Sequence, residues 1–190
     1  FRFYDYLHKD DRFRILDLRR FEMELNAGLF FDSNIPSSYG LGSPGALVPA
    51  THDRYKLVEI EDLSKLRVFL ADMENCFHGS SSGIDPLQCY IGKPFVLSNQ
   101  QSAVSNRQIV DILSHDFISE DIHIFLIDTK IKSPTAPLVE HFKELRNNKS
   151  YLEKFNNEYV PLISKSISNL IGKNDDEFFS NLLYVSKLQT

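Results

Sequence analysis

The sequence predicts an α+β fold, with a strand-rich first part followed by a helix-rich second part. Three observations carry this. Residues 13–18 and 21–25 alternate apolar and polar side chains, the period of a strand. Leu63, Leu66, Leu70, Met73 and Phe77 recur at helical spacing. From Thr135 onward the pattern is helical almost without interruption.

Taken in order, residues 29–33 form a third, shorter strand candidate, and residues 34–45 are rich in Gly, Pro and Ser and read as a turn. The turn runs straight into a helix expected from Ala46 to about Lys56, and a second helix spans residues 61–77. Residues 78–83 make a dense Gly/Ser loop. Strands are expected at 93–97 and 122–127, the latter an apolar run suited to burial on both faces. Helices follow at 137–147, 150–171 and 175–188, with Pro161 expected to kink or divide the second.

Composition narrows the class. With 190 residues, 42% hydrophobic and 25% charged, the chain can bury one substantial core or two small ones. Its net charge of −5, with both signs interspersed, argues against a general nucleic-acid or anionic-membrane surface. No apolar run approaches the roughly 20 residues that a membrane span needs. Cys76 and Cys89, the 2 cysteines, are too few for a disulfide framework and lack metal-site spacing. They are expected to be reduced in a cytoplasmic protein, although a bridge between them is open on paper. The opening Phe1 and the abrupt start in strand-like sequence suggest an internal piece of a longer chain.

Two loops could carry chemistry. In the first, Ser43 stands where an N-cap would and Pro44 where a first helical residue would, after Gly40 and Gly42. Glycines allow close backbone approach to an anion, and the free N–H groups of the helix start point at it. An ordinary turn fits the same residues. The segment is neither a Walker A motif nor a dinucleotide fingerprint. In the second, Glu74 ends one helix and Asp85 opens the next element, with His78 between them. One carboxylate of such a pair can ligate a divalent cation while the other orients or deprotonates a hydroxyl. A solvated helix acid and a helix cap are the alternative roles.

The segment Pro36-Ser37-Ser38-Tyr39-Gly40-Leu41-Gly42-Ser43-Pro44-Gly45-Ala46 resembles the second motif of the GHMP kinases, Pro-x-x-x-Gly-Leu-Gly-Ser-Ser-x-Ala. His78-Gly79-Ser80-Ser81-Ser82-Gly83-Ile84-Asp85 is similar to the His-Gly-x-x-Ser-Gly-Ile/Val-Asp signature of the mevalonate kinases. Asp128-Thr129-Lys130-Ile131-Lys132-Ser133-Pro134-Thr135 resembles that family's Thr-Lys-x-x-x-x-Thr segment. The three occur in the family's order and span about residues 21–139.

The resemblance implies a two-domain fold, with a ribosomal-protein-S5-like N-terminal part and a helix-rich C-terminal part. Residues 1–100 would belong to the first, ATP-binding domain and residues 101–190 to the second, each incomplete. It implies ATP and Mg2+ as cofactors, and phosphorylation of the hydroxyl of a small hydroxy acid, with mevalonate the best match. Gly40, Leu41, Gly42, Ser43, Gly45 and Ala46 would hold the ATP phosphates. Glu74 and Ser43 would ligate the metal, and Asp85 would be the catalytic aspartate. His78, Ser82 and Thr135 would line the substrate site. Galactokinase, homoserine kinase and diphosphomevalonate decarboxylase share the phosphate loop and are alternatives, as is an inactive ligand-binding or regulatory protein of the same fold. No nucleic-acid or membrane partner is implied, and a homodimer is compatible.

Three departures stand against a complete enzyme. Pro44 replaces the family's second serine and brings neither a hydroxyl nor an N–H. Pro49 falls inside the following helix, where it costs on the order of 3 kcal/mol. The family's first, lysine-bearing motif and its Gly-rich third motif have no counterpart in these residues, so the stretch alone is expected to be inactive.

Overall fold

The structure, a computed structural model, describes residues 2–34, 43–101, 106–114, 116–131 and 135–189. It is a mixed α+β architecture, mostly helical, and falls into two compact units, residues 1–112 and 113–190.

The first unit contains α1 (Arg2–His8), α2 (Leu18–Asn26), α3 (Ser43–Tyr55), α4 (Leu63–His78) and α5 (Ile84–Ile91). It closes with a hairpin of β1 (Phe95–Gln101) and β2 (Asn106–Ile112), antiparallel and in register from Phe95 opposite Ile112 to Gln101 opposite Asn106. This hairpin is the sheet that the described residues form.

The strands expected at 13–18 and 21–25 are not strands. Residues Asp11–Ile15 form a 3-10 turn, and 21–25 lie within α2. Capping decides against the strand in both places. The Asp10 carboxylate accepts the Arg12 N–H at 3.0 Å, and that of Asp17 accepts the Arg20 N–H at 3.0 Å, each satisfying a donor that a helix start leaves orphaned. Within α2, Phe21 is buried and Leu18 and Leu25 pack against the core, at three- and four-residue spacing. Met23, the middle member of the apparent alternation, is 60% exposed. Residues 29–33 also form no strand, and Phe30 is exposed.

The core of this unit is built around α4. Leu66, Leu70 and Met73, repeating at helical spacing, are fully buried with Leu7 of α1, Phe13, Val48 and Tyr55 of α3, and Leu87 of α5. Asp62 caps α4, its carboxylate accepting the Ser64 and Lys65 N–H groups. Gly79, at φ 71°, closes it in the left-handed conformation that favours glycine. α3 runs on through Pro49, which has no N–H to offer the carbonyl of Gly45. Residues of α1, α2, α3 and 29–31 line a cavity of about 440 Å³, apolar apart from Arg2, Thr51 and Arg54.

The second unit holds α6 (Thr135–Arg146), α7 (Lys149–Lys154), α8 (Val160–Ile171) and α9 (Asp175–Gln189), close to the expected helices. Residues Phe155–Tyr159 between α7 and α8 are a π-helical turn, in which the Val160 N–H reaches back to the Phe155 carbonyl. Pro161 follows at the start of α8, so the widened turn takes up the donor and the space that proline denies a regular helix. Tyr151, Phe155 and Tyr159 stack along one face of this stretch. The strand expected at 122–127 does not form: Ile124, Phe125, Leu126 and Ile127 are about four-fifths exposed. A strand requires a neighbour for its backbone groups. Among the described residues none pairs with this run.

Candidate functional site

Two helix starts meet in the first unit. Gly45, in the first turn of α3, is buried against Asp85 and Pro86 in the first turn of α5. A β-carbon at Gly45 would lie 3.0 Å from Asp85 Cβ and 3.4 Å from the Asp85 carbonyl carbon and Pro86 N. Only a residue without a side chain allows this approach at no cost. Both helices direct the positive ends of their dipoles from these turns, which favours anions, although in α5 the Ile84 N–H is taken by the Ser82 hydroxyl, the Leu87 N–H by the Gly83 carbonyl, and Pro86 has none.

The loop between α4 and α5 is held from both sides. Gly83, at φ 72°, precedes α5 and accepts the Leu87 N–H at 3.2 Å. Any side chain at Gly83 would collide with the Arg67 carbonyl oxygen and come within 2.9 Å of Ala71 Cβ. The Arg67 guanidinium donates to the Ser82 carbonyl and, at 2.5 Å, to Gln108 Oε1 on β2. The Ser82 hydroxyl accepts the Ile84 N–H at 3.3 Å.

Glu74 lies on α4 with 5% of its surface exposed. The Ser81 hydroxyl donates to Glu74 Oε2 and accepts the Gly83 N–H at 2.9 Å. Asp85 is exposed at the start of α5, one turn before Cys89. Partial burial raises the Cys89 thiol above its ordinary range, and the negative charges of Asp85 and then Glu74 raise it further. Both carboxylates therefore act on one side chain. Cys76 is buried, and both cysteines are free thiols.

The expected site residues fall into three groups. Gly45, Ala46, Glu74, Ser82 and Asp85 all belong to α3, α4, α5 and the loop joining the last two. Gly40, Leu41 and Gly42 lie outside the described residues. Of Ser43, His78 and Thr135 the backbone is described: Ser43 begins α3, His78 ends α4, and Thr135 begins α6 in the second unit. Ser43 is thus a first helical residue and not an N-cap, a shift of one position. In the third motif, Asp128 accepts the Lys130 N–H at 2.8 Å and pairs with Lys130 Nζ at 2.6 Å, making a self-contained turn. Sequence reasoning passed over Ser81 and Arg67. A serine two residues before a glycine that must adopt positive φ was the available signal for Ser81; Arg67 had none.

Among the described residues no three His, Cys, Asp or Glu side chains gather as an all-protein metal cage. Among the described residues no helix is long and apolar enough to cross a membrane. No protein-family model matches the chain, and no curated protein or solved structure matches it either.

Proposed function

We propose that this chain is the central part of an ATP- and magnesium-dependent phosphotransferase of the GHMP kinase type, acting on the hydroxyl of a small hydroxy acid. Mevalonate is the best candidate substrate. The observation that supports this reading most is the approach of Gly45 to Asp85. The residues belong to two separate motif-like segments, and their juxtaposition brings the start of α3 against Asp85. A chance likeness of either loop would not require them to touch.

In this reading the N–H groups of the first turn of α3 would receive phosphate oxygens, with Gly45 giving the backbone access. Glu74, buried at one side, holds the cation. Magnesium would neutralise charge building on the transferred phosphoryl group. Asp85, exposed at the helix start, orients the acceptor hydroxyl and takes its proton. Most of the rate enhancement then comes from positioning and charge neutralisation.

The test is ATP consumption by the full-length protein with mevalonate, comparing wild type with Asp85→Ala. Turnover is expected to fall by about a thousandfold or more with nucleotide binding retained, the pattern of a group used in the chemical step. Undiminished turnover in Asp85→Ala removes Asp85 from this role. A second reading, a ligand-binding protein of the same fold, is favoured by Pro44, which offers neither a hydroxyl for a cation nor an N–H for a phosphate. ATP binding without consumption on any hydroxy acid or sugar would decide for it.

A further inference from the structure

We infer that Ser81 is a positioning residue, setting Glu74 as a cation ligand and tying it to the helix that carries Asp85. The proposal rests on the phosphotransferase reading above. Glu74 is 5% exposed, and a carboxylate so deeply placed needs compensation for its lost hydration. Elsewhere in this unit a carboxylate receives it in full, since Glu24 is engaged by Arg20, Arg54 and the Tyr55 hydroxyl. Glu74 has no ion-pair partner among the described residues. The donor it has is the neutral Ser81 hydroxyl, on Oε2. Ser81 engages one carboxylate oxygen, Oε2, and in this proposal a divalent cation would be held by the other, Oε1.

The Ser81 hydroxyl is fully committed in a way that explains its place. Its one hydrogen goes to Glu74, and a lone pair takes the Gly83 N–H at 2.9 Å. Gly83 in turn accepts from Leu87 inside α5, so the chain of bonds runs from the Glu74 carboxylate to the first turn of the helix bearing Asp85. A β-carbon at Gly83 would meet the Arg67 carbonyl oxygen and Ala71, so the position that receives this bond has room only for glycine. The Ser81 hydroxyl therefore ties the Glu74 carboxylate to the backbone that leads into the helix bearing Asp85. Ligand-orienting groups of this kind are as necessary to a metal site as the ligands themselves.

The experiment titrates Mn2+ alone into the full-length protein, followed by the loss of its free EPR signal, for wild type, Ser81→Ala, Ser81→Thr, Ser81→Cys and Glu74→Gln. Ser81→Ala should weaken Mn2+ binding by about tenfold, and Ser81→Thr, which keeps the hydroxyl, should restore it to within about twofold. The magnesium concentration giving half-maximal turnover should rise in parallel, with kcat at saturating magnesium much less affected. If Ser81→Ala does not fold, the weak-donor variant Ser81→Cys must still bind Mn2+ less tightly than Ser81→Thr. Wild-type Mn2+ affinity in Ser81→Ala, or equal affinity in the Cys and Thr variants, overturns the role of Ser81 while a defect in Glu74→Gln leaves the metal site standing. If Glu74→Gln also binds Mn2+ like wild type, the metal site itself fails and the proposal falls with it.

Discussion

Gly45 and Asp85 lie forty positions apart in sequence and in contact in the fold, a β-carbon on Gly45 falling 3.0 Å from that of Asp85. Two helix starts are thereby held against one another, with Asp85 in the first turn of one of them. The closeness of this contact makes it testable.

Gly45→Ala opposes two effects. Alanine in place of glycine within a helix gains about 1 kcal/mol, while overpacking a tight contact costs about 1–3 kcal/mol. The net loss of stability is expected to be small, about 0–2 kcal/mol by urea unfolding. Activity should suffer more, because a shift of Asp85 by a few tenths of an ångström misplaces the reacting groups. A fall in kcat/KM of about tenfold or more, with the fold intact, is the expected outcome. Full activity in Gly45→Ala would show that the contact does not set the geometry of Asp85.

His52 is fully buried on α3, and neither ring nitrogen has a hydrogen-bond partner among the described residues. It packs edge-on against Phe69 and Tyr90. Burial first, and then the nearby Lys56 charge, lower its pKa. The unfolded chain thus binds a proton more readily than the folded one. Stability is complete above the unfolded value of about 6.5 and declines as pH falls below it. His52→Phe keeps the edge-on contacts and removes two unsatisfied nitrogens. It should raise stability by about 1 kcal/mol near neutral pH and flatten the decline towards about pH 5, both read from urea midpoints. An unchanged pH profile would assign the decline to other groups.

Glu24 accepts from Arg54 at 2.7 Å, from the Tyr55 hydroxyl at 2.6 Å and from Arg20 at 2.9 Å. These bonds, that of Arg54 foremost, hold its carboxyl down to about 2 from an ordinary 4.5. Here too the unfolded state binds the proton more readily, but in a lower window. The contribution is present above about 4.5 and is lost as pH falls towards 2. Glu24→Gln should remove stability near neutral pH and leave the variant's midpoint less sensitive to acid than the wild type's across that window. The wild type, by contrast, should lose midpoint steadily there.

How far the sequence could be read depended on how local each cause was. α4 and the helices of the second unit were legible because their apolar residues repeat at 3.6 with capping residues at the ends. Residues 21–25 misled because alternation and helical spacing share Phe21 and Leu25, and only Met23 separates the patterns. The run 122–127 misled because β propensity cannot supply a pairing partner. At the site, residue types and spacing pointed to Glu74 and Asp85, while the Ser81 bridge depended on where a hydroxyl falls once the loop is folded.

By itself the sequence determined that the chain has a mixed α+β composition, that it is helical from about Thr135 onward, and that glycines and carboxylates cluster in two loops. Those properties follow from periodicity and side-chain chemistry, which act over a few residues. Tertiary structure decided that Gly45 meets Asp85, that Glu74 is buried against Ser81, and that Asp10 and Asp17 start helical turns where strands were expected. Each of these is a competition between partners for the same backbone or carboxylate group. Its outcome depends on which groups packing brings within reach.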